Sequence, residues 1–202
     1  MVEAYQRRSA LAHFGLNAPQ SAGGSTGITV GEIAHRAIIN IRGNAGDPAF
    51  VVAVKSATGA DLPLAANTVI TAGDVRILWL GPDEWWIVAS DARRAGLIEG
   101  LRSAFAGQHT NVTDVSESRT VISMTGPAAR EVLARGISLD LHPRAFGPGQ
   151  CAQTSLSRTN VLLHQTEEAP SYEIYVLKSF SDYLWRWIGL IAEDFGLAVK
   201  AD

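Results

Sequence analysis

The chain has 202 residues, of which 47% are hydrophobic and 18% are charged, and its formal net charge is −3. The negative charge argues against a nucleic-acid-binding surface, and no apolar run comes near the ~20 residues that span a bilayer. We expect a cytoplasmic protein of one domain or two small ones, with no nucleic-acid or membrane partner. The charged fraction is below the roughly 25% of an average domain, which fits either a surface covered by partners or an apolar monomer.

Residues 1–28 are predicted to form an N-terminal arm. Glycine and serine dominate residues 21–27, a composition that favours a flexible loop. An apolar patch at residues 10–16 would let the arm lie across its own domain or across a partner. Arg7 and Arg8 are not followed by a continuous apolar stretch, so the segment does not resemble a signal peptide.

Residues 29–110 are predicted to form a first α/β half. Two strands precede a helix that begins at Asp47-Pro48, because aspartate caps free N–H groups and proline fits the first helical position. Gly59 is expected to end that helix. The other predicted elements are strands at 28–33, 37–41, 69–71, 75–80 and 85–89, a turn at 81–84, and a helix with Leu97, Ile98, Leu101 and Phe105 on its apolar face.

Residues 111–202 are predicted to form a second α/β half. Its last helix is expected to be capped by Ser179, with Asp182 three residues on. The predicted apolar face of that helix consists of Phe180, Tyr183, Leu184, Trp187, Ile188, Ile191 and Phe195. The other predicted elements are strands at 111–115, 120–124, 152–156, 161–164 and 172–176, a helix from 126 to about 135, and a connection at 136–149.

The two halves follow a similar plan. Residues 38–43 parallel residues 121–126, each with a helix start immediately after, and residues 84–88 parallel 172–176. We interpret each half as β-β-α-β-β-α, which predicts an α+β fold with two pseudo-repeated halves and helices covering a sheet face. The identities within the repeat are few, so chance similarity is the alternative.

Nothing in the sequence has the spacing of a known cofactor motif. The glycines at 23–27 follow no predicted strand and lack the dinucleotide spacing, and there is no phosphate loop ending in Gly-Lys-Ser/Thr. The five histidines contain no i, i+4 pair of the kind found in zinc proteases. We therefore predict no catalytic, cofactor-binding or metal-binding residue on this chain, with a flavin site that lacks such a motif as the open alternative.

Two further features have a structural and a functional interpretation. Cys151 is the only cysteine, which excludes an intrachain disulfide; we favour a buried structural thiol over a nucleophile. The polar residues 113–120 are predicted to form a hairpin turn in which Asp114 and Arg119 pair. The alternative for this segment is a loop that docks a small ligand or a partner.

The tryptophans indicate a candidate interface. Trp85 and Trp86 are adjacent in a predicted strand, so their side chains face opposite sides of the sheet. Either both sheet faces are covered or one ring is exposed. Trp185 lies roughly 115° from the centre of the apolar stripe predicted for the last helix. Because tryptophan is enriched in interface hot spots, we predict Trp85, Trp86 and Trp185 as interface residues, with burial in a core as the alternative.

Seven segments along nearly the whole chain resemble the sarcosine oxidase gamma subunit family. In chain order they are residues 8–13 (RSALAH), 80–85 (LGPDEW), 113–116 (TDVS) with Arg119-Thr120, 125–130 (TGPAAR), 139–146 (LDLHPRAF), 151–154 (CAQT), and 179–180 (SF) with 183–185 (YLW). The second, fifth and sixth segments are specific in combination, whereas the fourth is shared more widely. The family in turn resembles the folate-binding aminomethyltransferase of the glycine cleavage system.

The resemblance implies an aminomethyltransferase-like folate-binding fold and a non-catalytic role in a heterotetramer with alpha, beta and delta subunits. It implies FAD, FMN, NAD and zinc on those partners, no cofactor on this chain, and tetrahydrofolate as a one-carbon acceptor. The implied reaction converts sarcosine to glycine, peroxide and, with tetrahydrofolate, methylenetetrahydrofolate. No residue here matches an acidic folate ligand. The alternatives are a stand-alone folate-binding one-carbon transfer protein and a folate-dependent tRNA-modification relative, which the net charge of −3 disfavours.

Overall fold

The protein is described by a computed structural model that covers residues 7–15, 20–21 and 26–200, with the side chains of residues 20–21 left out. Most of the predicted flexible loop at 21–27 lies outside the described residues. The helices are α1 (Pro48–Thr58), α2 (Arg94–Ala104), α3 (Ala129–Ala134) and α4 (Lys178–Ala192). The strands are β1 (Gln20–Ser21), β2 (Ile28–Ile33), β3 (Ala37–Arg42), β4 (Val69–Ala72), β5 (Val75–Gly81), β6 (Glu84–Ala89), β7 (Asn111–Asp114), β8 (Arg119–Thr125), β9 (Gln150–Leu156), β10 (Thr159–Glu167), β11 (Ser171–Leu177) and β12 (Leu197–Val199).

Local signals set several of these boundaries. Asp47 caps α1 by accepting a hydrogen bond from the Ala49 N–H at 2.9 Å, and Pro48 occupies the first turn. Gly59 ends α1 with a φ of 77°, a left-handed conformation that glycine adopts without a steric cost. The predicted start of this helix is confirmed.

The strands form two sheets. The small sheet has the order β4-β5-β6-β3-β7, and the large sheet has the order β1-β12-β2-β8-β11-β10-β9. Neighbouring strands are antiparallel except for β12 and β2, which are parallel. This confirms a mixed α+β architecture. Three strands lie between α1 and α2, and three lie between α3 and α4. The predicted β-β-α-β-β-α pattern has only two strands at this place in each half.

The sheets pack against each other and each is covered by helices on its outer face. The layer between the sheets includes Ile38 and Trp86 from the small sheet and Val121, Leu162 and Tyr175 from the large sheet. Helices α1 and α2 close the outer face of the small sheet around Trp85 and Phe50. Helices α3 and α4 close the outer face of the large sheet. Alternation along each strand therefore fills two outer cores and one intersheet core.

Two strands cross between the sequence halves. Strand β2 pairs with β8 and joins the large sheet, while β7 pairs with β3 and joins the small sheet. The hairpin predicted for residues 113–120 is therefore wrong, because β7 and β8 lie in different sheets. The segment between them carries the chain from one sheet to the other.

Part of the N-terminal arm lies on the large-sheet side of its own chain. Leu11 is fully buried in the outer core there, and Phe14 packs against the same core. The buried carboxylate of Glu32 accepts hydrogen bonds from the backbone N–H groups of Ala10 and Leu11 at 3.1 and 3.2 Å. It also accepts one from the Thr120 hydroxyl at 2.6 Å. The described residues 7–15 are thus bound to their own domain.

Candidate functional site

An ionic cluster stands where the chain crosses between the sheets. Glu117 contacts Arg7 of the arm at 2.7 Å, Arg94 of α2 at 2.7 Å and Lys178 of α4 at 3.0 Å. Arg94 also contacts Asp114 at 2.7 Å, so the predicted partner of Asp114 is wrong. Burial raises the pKa of Glu117, but hydrogen bonds from Arg94 and Lys178 outweigh this and lower it to about 2. We call these five residues the junction cluster.

Ser116 and Cys151 are both committed to structural contacts. The Ser116 hydroxyl accepts a hydrogen bond from the Ile38 N–H at 2.9 Å and donates to Asp114 at 2.6 Å. The Cys151 thiol is fully buried and lies 3.4 Å from the Trp79 carbonyl oxygen. Burial raises the pKa of this thiol to about 12, so at neutral pH it is not a thiolate. Within residues 7–15, 20–21 and 26–200, no group of His, Cys, Asp and Glu is arranged to hold a metal.

A buried polar cluster joins the two sheets from within the intersheet layer. Arg76 of the small sheet contacts the Glu173 carboxylate of the large sheet at 2.5 Å, and the Tyr175 hydroxyl donates to the same carboxylate at 2.6 Å. His164 is buried, with its Nδ1 atom 3.9 Å from Glu173. Burial raises the pKa of Glu173, but the neighbouring His164, Arg76 and Tyr175 outweigh it and lower the value to about 2. The cluster therefore holds a buried carboxylate whose charge is balanced by Arg76.

Two of the surface cavities formed by the described residues differ in their lining. The larger, of about 830 Å³, lies beside the start of α1 and contains Arg42, which is already paired with Asp83 at 3.1 Å. The smaller, of about 500 Å³, lies between the sheets; we call it the intersheet cavity. It is lined by Leu80, Trp86, Arg119, Gln153, Thr154, Ser155, Asn160, Val161, Leu162, Tyr175 and Leu177. Its volume is in the range of small-molecule sites.

The three predicted interface tryptophans are separated and buried within the chain. Trp85 is 0% exposed in the outer core of the small sheet, where its Nε1–H donates to the Pro63 carbonyl oxygen at 2.8 Å. Trp86 is 7% exposed in the intersheet layer, and Trp185 is 9% exposed on α4 beside Phe14 of the arm. Both faces of the small sheet are therefore covered, which is the first of the two alternatives for Trp85 and Trp86. An interface role for all three stays a prediction.

The exposed large apolar side chains lie elsewhere. Phe180, Tyr183 and Leu190 on α4 are 44%, 39% and 66% exposed, and Val52 and Leu64 are also exposed. The predicted apolar face of α4 is wrong at Phe180 and Tyr183, because the buried stripe runs through Ser181, Leu184, Trp185, Ile188 and Ala192. Spacing of i, i+3, i+4, i+7 and i+11 marks this stripe in the sequence. The buried stripe begins at Ser181 and ends at Ala192, which are small residues. Large aromatic side chains therefore do not mark the buried face of α4.

The predicted cap of this helix is also wrong. Helix α4 begins at Lys178, directly after β11, and has no side-chain cap. Ser181 instead donates a hydrogen bond to the Lys178 carbonyl oxygen at 2.7 Å, and Asp182 pairs with His13 of the arm at 2.6 Å.

In the part of the chain that the structure describes, no helix combines the length and apolar character needed to cross a membrane.

Comparison with known proteins gives the chain a family. Residues 42–193 match the model of the sarcosine oxidase, gamma subunit family. The sarcosine oxidase subunit gamma of Corynebacterium sp. (strain U-96) is 35% identical over 207 residues, covering 100% of this chain and 98% of that protein. A chain of the heterotetrameric sarcosine oxidase from Corynebacterium sp. U-96, in complex with pyrrole 2-carboxylate, has a TM-score of 0.84 at 33% identity over 94% of this chain and 96% of that chain.

A more distant likeness concerns the fold alone. The glycine cleavage system aminomethyltransferase T from Bartonella henselae has a TM-score of 0.61 at 14% identity. The match covers 89% of this chain and 48% of that one. The predicted similarity to aminomethyltransferases is thus confirmed at the level of architecture. Taken with the family match over most of the sequence, these findings show that the chain belongs to the sarcosine oxidase gamma subunit family.

Proposed function

We propose that this chain is the gamma subunit of a heterotetrameric sarcosine oxidase and carries no redox chemistry of its own. The observation that supports this most strongly is the agreement over nearly the full length of both chains, with a TM-score of 0.84 at 33% identity, with a chain of such an oxidase. The structural agreement extends over nearly all of both chains and is not limited to a shared core, so it supports the same role in an assembly.

The partners proposed for the chain are the alpha, beta and delta subunits. The complex oxidises the N-methyl group of sarcosine to give glycine and peroxide, and it passes the one-carbon unit to tetrahydrofolate when this acceptor is present. FAD, FMN, NAD and zinc are proposed to sit on the partner subunits. In this proposal the cofactors supply the redox chemistry, so the gamma subunit needs no reactive thiol. This is consistent with Cys151, which is buried and has a pKa raised to about 12.

The sequence ranges 1–28, 29–110 and 111–202 are proposed as an arm and two related halves. In support, each half contributes a strand pair, a helix, three strands and a second helix in the same order. Strands β2 and β7 are exchanged between the sheets. We therefore propose that the halves are repeats that depend on each other for folding rather than separable domains.

The test is co-purification of the tagged chain from its native host, followed by mass analysis, an absorbance spectrum and a peroxide assay with sarcosine. The proposal expects three further subunits, flavin absorbance and sarcosine-dependent peroxide. A parallel preparation from an untagged strain controls for background binding. A colourless chain that purifies alone would contradict the proposal.

The alternative function is a stand-alone folate-binding one-carbon transfer protein. It is distinguished in the same experiment by adding tetrahydrofolate to the purified chain and measuring binding by calorimetry. Binding by the lone chain, together with an absence of partners, would favour the alternative. The 14% identity to an aminomethyltransferase concerns the fold and gives no residue that recognises folate.

A further inference from the structure

The intersheet cavity contains an arginine that has no acidic partner. Arg119 starts β8 and is half-buried at the cavity wall. Among the described residues its guanidinium forms no ion pair and no hydrogen bond, and no aspartate or glutamate lines the cavity. Burial lowers the pKa of this guanidinium. A half-buried positive charge without a counter-charge loses part of its hydration, so its position calls for an explanation.

Trp86 fixes the orientation of this arginine. The Arg119 guanidinium carbon lies 5.3 Å from the centre of the Trp86 ring, a cation–π contact between the two sheets. Trp86 is itself held by the Tyr175 ring at 6.0 Å on the cavity side of the intersheet core. A guanidinium stacked in this way keeps its N–H fork free, and that fork matches the two oxygens of a carboxylate.

The other lining residues complement such a ligand. The Ser155 hydroxyl donates to Asn160 Oδ1 at 3.1 Å, which leaves the Asn160 NH2 group as a donor. Gln153 donates to the Leu80 carbonyl oxygen at 2.8 Å and thereby links the two sheets. Leu80, Leu162 and Leu177 supply apolar wall. The cavity lining thus combines one cation, neutral donors and apolar side chains.

We propose that the intersheet cavity binds a carboxylate through Arg119. The carboxylate belongs either to a small organic acid with a short apolar body or to an acidic side chain of another subunit, since both present the same chemistry. The cavity is formed by this chain alone, so binding of a small organic acid does not depend on the proposed subunit function, whereas binding of a subunit side chain rests on it.

The first experiment uses the full-length chain and benzoate as the probe, with benzamide as an uncharged analogue of the same shape. Ligand-observed NMR is run on the wild type, Arg119→Gln, Arg119→Lys and Arg158→Gln. Arg158 is exposed in the turn between β9 and β10 and does not line the cavity, so its variant makes the same change in net charge. We expect the wild type and Arg158→Gln to bind benzoate and not benzamide. Loss of a charge-assisted hydrogen bond should weaken binding at least about 10-fold in Arg119→Gln, and less in Arg119→Lys.

Thermal melting separates a binding role from a structural one. Because the partial burial of the Arg119 charge without a counter-charge offsets its contact with Trp86, Arg119→Gln should melt close to Arg158→Gln. A clear drop in melting temperature confined to Arg119→Gln would overturn the proposal in favour of a structural arginine. Arg119→Lys keeps the positive charge and provides a second folded variant for the binding comparison.

The second experiment distinguishes the two sources of the carboxylate. If the isolated chain does not bind benzoate, tagged Arg119→Gln and Arg158→Gln are used to capture the other subunits from the native host. Capture reduced about 10-fold in Arg119→Gln alone would assign the carboxylate to a subunit side chain. Two outcomes would overturn the site, both of them without benzoate binding. In the first, Arg119→Gln and Arg158→Gln capture the other subunits equally; in the second, even the wild type captures none. A wild type that captures no subunits but binds benzoate would overturn the subunit function and leave the site supported.

Discussion

The two sheets are closed on their outer faces in different ways. The small sheet is built from residues 37–114, and its outer core is covered by two helices of 11 residues each, α1 and α2. The large sheet joins strands from both ends of the described chain, and a six-residue α3, the 15-residue α4 and the arm cover it together. One side is thus a contiguous unit, whereas the other depends on segments that are distant in sequence.

This difference predicts where each side is vulnerable. The small-sheet side should lose stability when its core is emptied. The large-sheet side should in addition loosen when the contacts that hold its distant segments are removed. Four substitutions test the comparison. One lies in a core, one in the buried polar cluster around Glu173 (the seam between the sheets), one at the arm and one in the junction cluster.

Replacing Trp85 with alanine should have the largest effect. The ring is fully buried, packs at 5.6 Å from the Phe50 ring and donates a hydrogen bond to Pro63. Removing a buried tryptophan costs about 3–5 kcal/mol. Trp185→Ala is the matched variant, and we expect a smaller loss because Trp185 lies at an edge beside the arm. Urea denaturation of both measures the difference, and an equal loss would show that the arm side is as tightly packed.

The same pair also tests the interface prediction for Trp85 and Trp185. A variant that stays folded but captures fewer subunits would assign its tryptophan to an interface. A variant that unfolds as an isolated chain assigns it to the core. Burial makes the second outcome the expected one for Trp85.

Glu173→Gln should weaken the seam between the sheets. It leaves the Arg76 guanidinium in the intersheet layer without its carboxylate, which we expect to cost about 3 kcal/mol. The pH dependence follows from the pKa of Glu173, which is lowered from 4.5 to about 2 in the folded chain. Its contribution is therefore complete above pH 4.5 and is lost as the pH falls towards 2.

Denaturation of wild type and Glu173→Gln between pH 7 and pH 2 measures this contribution. The two stabilities should differ most above pH 4.5 and converge on acidification. A difference that stays constant with pH would mean that the carboxylate charge is not the stabilising feature. Glu99→Gln, at an exposed position on α2, provides the control for a general change in charge.

Glu32→Gln should release the arm from the large sheet. The carboxylate accepts bonds from Ala10, Leu11 and Thr120, and the amide NH2 of glutamine would oppose these donors. We expect a loss of about 1–3 kcal/mol, with faster hydrogen exchange at the Leu11 amide. Exchange in α1, on the small sheet, should not change. Faster exchange in both regions would contradict the distinction between the two sides.

The elements of the fold could be predicted from the sequence because their signals are local. The cap at Asp47, the terminating Gly59 and the strand that contains Trp86 all follow from residues within one turn or one strand. Which sheet a strand joins is not encoded locally, since alternation specifies the faces of a strand and not its neighbours. The sequence therefore predicts a hairpin at residues 113–120 and does not reveal the exchange of β2 and β7.

The candidate sites show the same limit. Arg119 and Trp86 are 33 positions apart and their contact exists only because the two sheets pack together. Glu32 has an ordinary strand position in the sequence, and its hydrogen-bond partners lie 21 to 88 residues away. The interface prediction rests on aromatic residues that are buried, because the helices, the second sheet and the arm supply cover that no local pattern reveals.

Glu117→Gln should have the smallest effect, although its pKa is also lowered to about 2. Its side chain is 45% exposed, so water and salt screen its attraction to Arg7, Arg94 and Lys178. We expect a loss below about 1 kcal/mol at low salt, and none in 1 M NaCl, where the Debye length is about 3 Å. Glu173→Gln measured in the same salt series should keep its effect, because its ion pair is buried. If salt abolished both effects, the seam would be as open to solvent as the junction cluster, and the contrast between buried and exposed links would fail.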